Sequence, residues 1–399
     1  MSSTRGIVIR VGTKDGDIVG STNRALQAAV DYVAALGGGT VEIGPGEYWM
    51  TDSLHLRSNV TVVGAGPSTV LKKCAGVETP LATDGDYGEE QITVVDPTGF
   101  EVGGGVTISP RPYAGSFMTT VATIVEQIDE NTFRINKPLN ADCQIQNGAK
   151  AQTTFPVISA YHISGATVQD LAIDGNAGEN PYLGGNRGAG VYLYRAHNTQ
   201  IRRVTVLRYR GDGISYQQSD DVVVDECTVL ECDKGIHPGS GSTRTIIRNC
   251  RVCDNQTVGL YLCWRVRHSL IEGNEICNNG VTGISIGHKD TDNEFRRNVV
   301  AANGRHGVLF RNEPYVLAGH RNRFESNRIV DNGDGTEGYG FYIDGETDDI
   351  TITGNVIGNT DPNRPKQVYG IYVCERARRV ALSANEMLNM QEALYRQGA

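Results

Sequence analysis

Between Asp233 and Glu313 this 399-residue chain gathers side chains able to move protons and hold charge. Two chemistries suit them. Abstracting a proton beside a carboxylate needs a cation to neutralise that carboxylate and a base within reach. Arg311 or Lys289 supplies the cation; His237, Lys234 or Tyr261 supplies the base or acid, according to burial and neighbours. Cleaving a glycosidic bond by hydrolysis needs two carboxylates across it. Asp233, Asp290 and Glu313 are the candidates, with Asp212 behind them. We take His237, His288, Lys289, Arg311, Glu313 and Asp233 as candidate catalytic groups. Trp264, Arg265, Tyr261, Lys234, Asn312 and Asp290 are candidate substrate contacts. Trp264, one of two tryptophans with Trp49, offers a flat face on which a ring can stack.

What positions these residues is a repeat. A glycine preceding an apolar–x–apolar triplet recurs at Gly190, Gly213, Gly235, Gly259, Gly283 and Gly307, every 22 to 24 residues, then at Gly340 and Gly370 after longer gaps. Each unit holds a second short apolar strand, such as TIIRNCRV or DITITGNVI. Asparagines recur at Asn249, Asn274, Asn298, Asn327, Asn355 and Asn385, and a second set, Asn279, Asn303 and Asn332, with glycine after each. Stacked asparagines can hydrogen-bond from coil to coil, and Asn tolerates the left-handed backbone of tight turns. Short strands at a period too small for a strand–helix unit predict an all-β chain, a right-handed parallel β-helix.

Side chains alternate along a strand, so the first and third positions after each repeat glycine face inward and the second and fourth outward. Inward positions read Ile214/Tyr216, Leu260/Leu262, Ile284/Ile286, Val308/Phe310 and Phe341/Ile343. In the following turn, in-register stacking predicts a ladder Trp264–His288–Asn312, beside it Arg265–Lys289–Glu313. Coils lie about 4.8 Å apart, so four of them span roughly 14 Å, about three sugar units. Lys234, His237, Arg265, His288, Lys289, Arg305, His306 and Arg311 make this face basic, although 37 Lys and Arg against 46 Asp and Glu leave the chain at −9. That contrast suggests an anionic ligand. Charged turn residues such as Arg244, Arg251, Arg296 and Arg297 read mainly as solvated, and a Lys289–Glu313 contact as a structural ion pair of little worth.

Three regions are expected. Residues 1–88 hold an N-terminal cap helix, from about Asn23 to Leu36, and the first coils. Residues 89–151 lose the rhythm and read as a small β insertion, and 152–399 carry the coils with the candidate site. An acidic chain is a poor match for nucleic acid or acidic membranes; neither is an expected partner, while self-association stays open. No signal-peptide-like start and no long apolar run is present, which suggests a cytoplasmic protein. The cysteines inside the repeats, Cys227, Cys232, Cys250, Cys253 and Cys277, read as small core residues in a reducing compartment. No cofactor is expected; Ca²⁺ at Asp290 and Asp292 is the alternative.

The segment ALQAAVDYVAALGGGTVEIGPGEY resembles the start of proteins of the pectate-lyase-like superfamily. KGIHPGSGS, GLYLCWRVRH, GISIGHKDTDN and GVLFRNE resemble segments of bacterial right-handed β-helix repeat proteins. The resemblance implies a carbohydrate-active protein: a polysaccharide lyase or epimerase first, a glycoside hydrolase second, a non-catalytic glycan binder third. Departures narrow it. Polygalacturonases carry Asn-Thr-Asp, an Asp-Asp pair one coil later and then Gly-His-Gly. Here Asp212 fits the first, the pair has become Asp233-Lys234, and Val258 stands where the histidine would fall. The Asp-Pro-His signature of alginate epimerases is missing as well.

Overall fold

The computed structural model describes residues 6–112 and 117–397. Two compact units are formed, Met1–Leu193 with Val204–Ser215, and Tyr194–Arg203 with Tyr216–Ala399.

In the first unit a helix, Asn23–Ala35, buries Leu26, Ala29, Val30 and Val33. That apolar stripe recurs with helical spacing and packs on the strands Val8–Gly12, Gly39–Ile43 and Val60–Gly64. Thr22 sits at the N-cap, but its side chain makes no capping hydrogen bond. The three strands pair in parallel, with Ile9 beside Val41 and Val41 beside Val62. Rhythm breaks where the sequence lost it. A six-stranded antiparallel sheet runs in the order Glu78–Pro80, Lys150–Gln152, Gly105–Ser109, Thr120–Gln127, Thr132–Ile135, Gln91–Thr93. It therefore takes in Glu78–Pro80, ahead of the expected boundary at 89. The sheet has its own core of Val94, Val106, Ile108, Ile124 and Phe133.

The second unit is a stack of β-helix coils, each contributing three short strands. One sheet stacks Lys234–Gly239, Val258–Tyr261, Thr282–Ile286, His306–Phe310, Tyr339–Ile343, Tyr369–Val373 and Glu392–Arg396 in parallel. Its register runs Ile236, Leu260, Ile284, Val308, Phe341, Ile371, Leu394. All but the last of these are at most 1% exposed, so the inward positions expected from the repeat glycines form the core. The glycines are required by crowding. At Gly259, Gly283 and Gly307 an added Cβ would lie 2.5–2.6 Å from a core aliphatic carbon and 2.7–2.9 Å from the carbonyl oxygen or ladder amide of the next coil.

Asparagine ladders brace the turns. Asn274, Asn298, Asn327 and Asn355 each donate from Nδ2 to the Oδ1 of the next member, ending at Asn385, over 2.9–3.0 Å. A second ladder starts at Asn255 and runs through Asn279, Asn303 and Asn332 to Gln367. Asn249 is a correction. Arg251 pairs with Glu275, so Cys250, not Asn249, lies at the level of Asn274 and donates its N–H to that side chain. Asn249 is exposed, with φ +54°, in the turn before.

The cysteines also need correction. Cys227, Cys232 and Cys250 are buried and outside any disulfide, as expected, but Cys253 and Cys277 on adjacent coils form one.

The ladders lead to a direct contrast. Asn303 satisfies Asn279 and Asn332 and a backbone carbonyl. Asn303→Ala should cost about 1–3 kcal/mol for each buried group it orphans, read from the urea unfolding midpoint. Asn249→Ala orphans no ladder partner and should cost only about 1 kcal/mol, from the left-handed backbone at that position.

Candidate active site

Because the sheet is in register, its outward residues line up across coils. His237, Tyr261, Ser285, Leu309, Tyr342, Tyr372 and Tyr395 form one file, the last six paired in sequence. Lys234, Val258, Thr282, His306, Tyr339 and Tyr369 form the next.

Tyr261 is the centre of the first cluster. The His237 ring meets it edge-on at 4.9 Å, the Arg311 guanidinium lies 4.8 Å over its face, and Lys234 Nζ stands 5.8 Å away. Burial pushes the phenol up to about 12 against the pull of Arg311 and Lys234, so it keeps its proton at neutral pH. Arg311 is fixed in place: Nη1 donates to Ser285 Oγ (2.7 Å), and Nη2 to the Leu262 carbonyl (2.8 Å) and Asp290 Oδ2 (3.3 Å). Asp290 is fully buried, accepts from the backbone N–H of Val266 and Gly287, and is raised to about 7 because desolvation outweighs Arg311.

The second cluster contains a residue that the sequence reading passed over. Cys263 Sγ lies 3.0 Å from His288 Nδ1, and His288 Nε2 lies 2.7 Å from Glu313 Oε1. The Trp264 ring stacks on His288 at 4.7 Å with an interplanar angle of 17°. Cys263, His288 and Glu313 are evenly spaced, 25 residues apart, one more than the local repeat. Their contacts therefore run diagonally across the coils, and an in-register ladder misses them. That spacing was the available signal.

Of the expected ladders, Trp264 on His288 is formed. Asn312 instead accepts a hydrogen bond from Arg376, and Glu313 partners His288 instead of Lys289. Lys289 faces a separate recess of about 390 Å³ with Arg265, Arg267, His320 and Arg321. Arg321 is paired with Asp292; among the described residues, Arg265, Arg267 and Lys289 have no carboxylate partner. The hydrolytic set is not brought together as a free pair. Asp233 bonds Lys234 and Thr257, Asp290 bonds Arg311, and Glu313 bonds His288. The same contacts divide the two calcium candidates, since Asp290 and Asp292 face different arginines. Among the described residues, the one group of ligand atoms close enough to share an ion is Cys253, Glu275 and Cys277, where the two sulfurs are already joined.

Toward the C-terminus the outward face becomes aromatic. Tyr342, Tyr372 and Tyr395 stack at 4.8 Å, and Tyr339 on Tyr369 at 5.1 Å. The YGFYI and YGIYV segments carry this stripe, which the sequence reading left unassigned. His306, counted there as a cation, is buried beside Tyr339. Burial, helped by Arg305, pulls it down to about 4. Arg305 itself is paired with Glu337.

Such a molecule is a parallel β-helix that presents titratable groups and stacked aromatics along the outward face of one sheet. A family model described as a right handed beta helix region matches residues 156–313, 189–357 and 265–394, and the chain belongs to that family. Mannuronan C5-epimerase AlgE5 of Azotobacter vinelandii is 39% identical over 85 residues, 19% of this chain and only 8% of that protein. The A-module of mannuronan C-5 epimerase AlgE4 from the same organism superposes with a TM-score of 0.60 at 17% identity, over 98% of each chain. A structure titled glycoside hydrolase gives 0.52 at 12% identity, over 96% of each. At these identities the structural likeness shows the fold.

The His306 shift has a definite sign. Its folded-state value lies below the ordinary 6.5, so stability is untouched above about pH 6.5 and falls as pH drops towards about 4. His306→Phe should flatten that acid limb, measured as urea midpoints at stepped pH.

Proposed function

We propose that the chain is a carbohydrate-active enzyme for an anionic, uronate-containing poly- or oligosaccharide. It removes the proton beside the uronate carboxylate, leading to β-elimination or to epimerisation. The observation that carries this reading is the cluster around Tyr261, which joins a phenol, an imidazole and two cations drawn from the coils between Gly235 and Gly307.

In this reading Arg311, whose partner Asp290 is pushed up to about 7 by burial, neutralises the substrate carboxylate, which acidifies the neighbouring C–H. The His237 imidazole accepts the proton. Tyr261, held protonated by burial, donates one: to the departing glycosidic oxygen in elimination, or to the opposite face of the carbon in epimerisation. The unpaired Arg265, Arg267 and Lys289 supply charge for further carboxylates, and the tyrosine stripe supplies stacking for sugar rings. The two A. vinelandii proteins are named as epimerases of mannuronan, which supports a uronate polymer as the substrate class. Since the Asp-Pro-His signature is missing, the roles rest on the residues present here.

Incubation with a panel of uronate glycans, mannuronan included, separates the outcomes. Ultraviolet absorbance reports an unsaturated uronide, and deuterium incorporation from heavy water reports proton exchange at the sugar carbon. One of the two should rise, and Tyr261→Phe should lower it by about 10²–10⁴-fold. Reducing ends with neither signal would overturn proton abstraction in favour of hydrolysis. The double variant Arg265→Ala/Arg267→Ala should weaken polymer binding and flatten its salt dependence, measured by calorimetry at two ionic strengths.

A further inference from the structure

Cys263, His288 and Glu313 meet the geometric test for an activated nucleophile: a thiol on a base, and the base oriented by a third group. The protonation pattern follows from the donors available. A carboxylate can only accept, so the 2.7 Å contact places the His288 proton on Nε2, pointing at Glu313. Nδ1 then carries a lone pair and faces the thiol, whose proton it can take. Desolvation and the nearby Arg311 charge lower His288, favouring its neutral, basic form. Burial raises Cys263 to about 11, so the resting pair is thiol and imidazole, and His288 acts as general base.

Access is adequate. Cys263 is partly exposed and unbridged, and Trp264, 41% exposed, extends a flat surface from the His288 ring. Tyr261 is within hydrogen-bonding reach of the thiol, and the Arg311 charge acts on the same sulfur. Both can stabilise negative charge developing on an oxygen bound there.

We propose that Cys263 and His288, positioned by Glu313, form a thiol acyl-transfer site that hydrolyses O-acyl esters carried on sugars. His288 Nδ1 takes the thiol proton as Sγ attacks the ester carbonyl. The bond to the sugar oxygen then breaks, the alkoxide takes that proton from His288, and an acyl thioester remains on Cys263. Water gives a proton to His288 and attacks the thioester carbon. The carbon–sulfur bond breaks, the thiolate recovers its proton, and the carboxylic acid leaves. No redox partner or metal is consumed. The sugar follows from the function proposed above and from the exposed Trp264 platform; the acyl step itself needs no uronate.

The test uses the full chain with 4-nitrophenyl acetate and an acetylated monosaccharide, reading acetate release and the intact mass after acid quench. We expect acetate release, a single acetyl group mapped to Cys263, and a loss of about 10²-fold or more in Cys263→Ala. Glu313→Gln should cost about tenfold and change the pH profile of the rate; a merely structural role would lower the rate uniformly across pH. Iodoacetamide labelling guards against a misfolded variant, because Cys74 on the same chain is the internal reference. His288→Gln should slow the labelling of Cys263 and leave that of the half-buried Cys74 unchanged. An unchanged rate in Cys263→Ala, acetylation elsewhere, or Cys263 labelling unaffected by His288→Gln would overturn the assignment. Neither readout depends on proton abstraction from a uronate, so the two proposals fail separately.

Discussion

In-register parallel pairing of coil upon coil is the constraint on which the second unit depends. It turns sequence positions 24 residues apart into neighbours about 4.8 Å apart, so each outward side chain is placed by the coil beneath it. The buried asparagine ladders enforce that register. Each amide satisfies both the next amide and a backbone group, and a slip of one residue would break every rung at once. The repeat glycines have a related role, since a side chain there would collide with the ladder amides themselves. Rigidity built this way lets short strands and tight turns hold reactive groups without a deep cavity.

The face so constructed grades from charge to aromaticity. Around Tyr261 the side chains are ionisable and partly desolvated, which moves proton affinities: Tyr261 and Cys263 upward, His288 downward. Further along the same file, stacked tyrosines offer flat, weakly polar surfaces suited to sugar rings. Ionisable groups at one end and rings along the rest are the features on which the proposed function draws.

The fold was legible because glycine spacing and strand alternation are both local and repeated; Leu260, Ile284 and Val308 could be assigned inward from sequence alone. The insertion was visible only as lost rhythm, and its first strand, Glu78–Pro80, carries too few residues to announce itself. Site residues were identified by type more readily than by contact. Glu313 was paired with Lys289 because a strict ladder puts them in register, whereas left-handed backbone at His288 and Lys289 (φ +50° and +67°) redirects both side chains. Cys263 was passed over because thiols in such repeats are mostly core, as Cys227, Cys232 and Cys250 are. His306 looked cationic by type, and only its burial shows that it is neutral.

The most direct test of the central claim is a crystal structure of the Tyr261→Phe variant with an acidic oligosaccharide bound. The chain should lie along the outward file from Tyr261 to Tyr395, with one carboxylate beside Arg311 and sugar rings on the tyrosines. Saccharide bound only in the first unit, or on another face of the coils, would contradict the account.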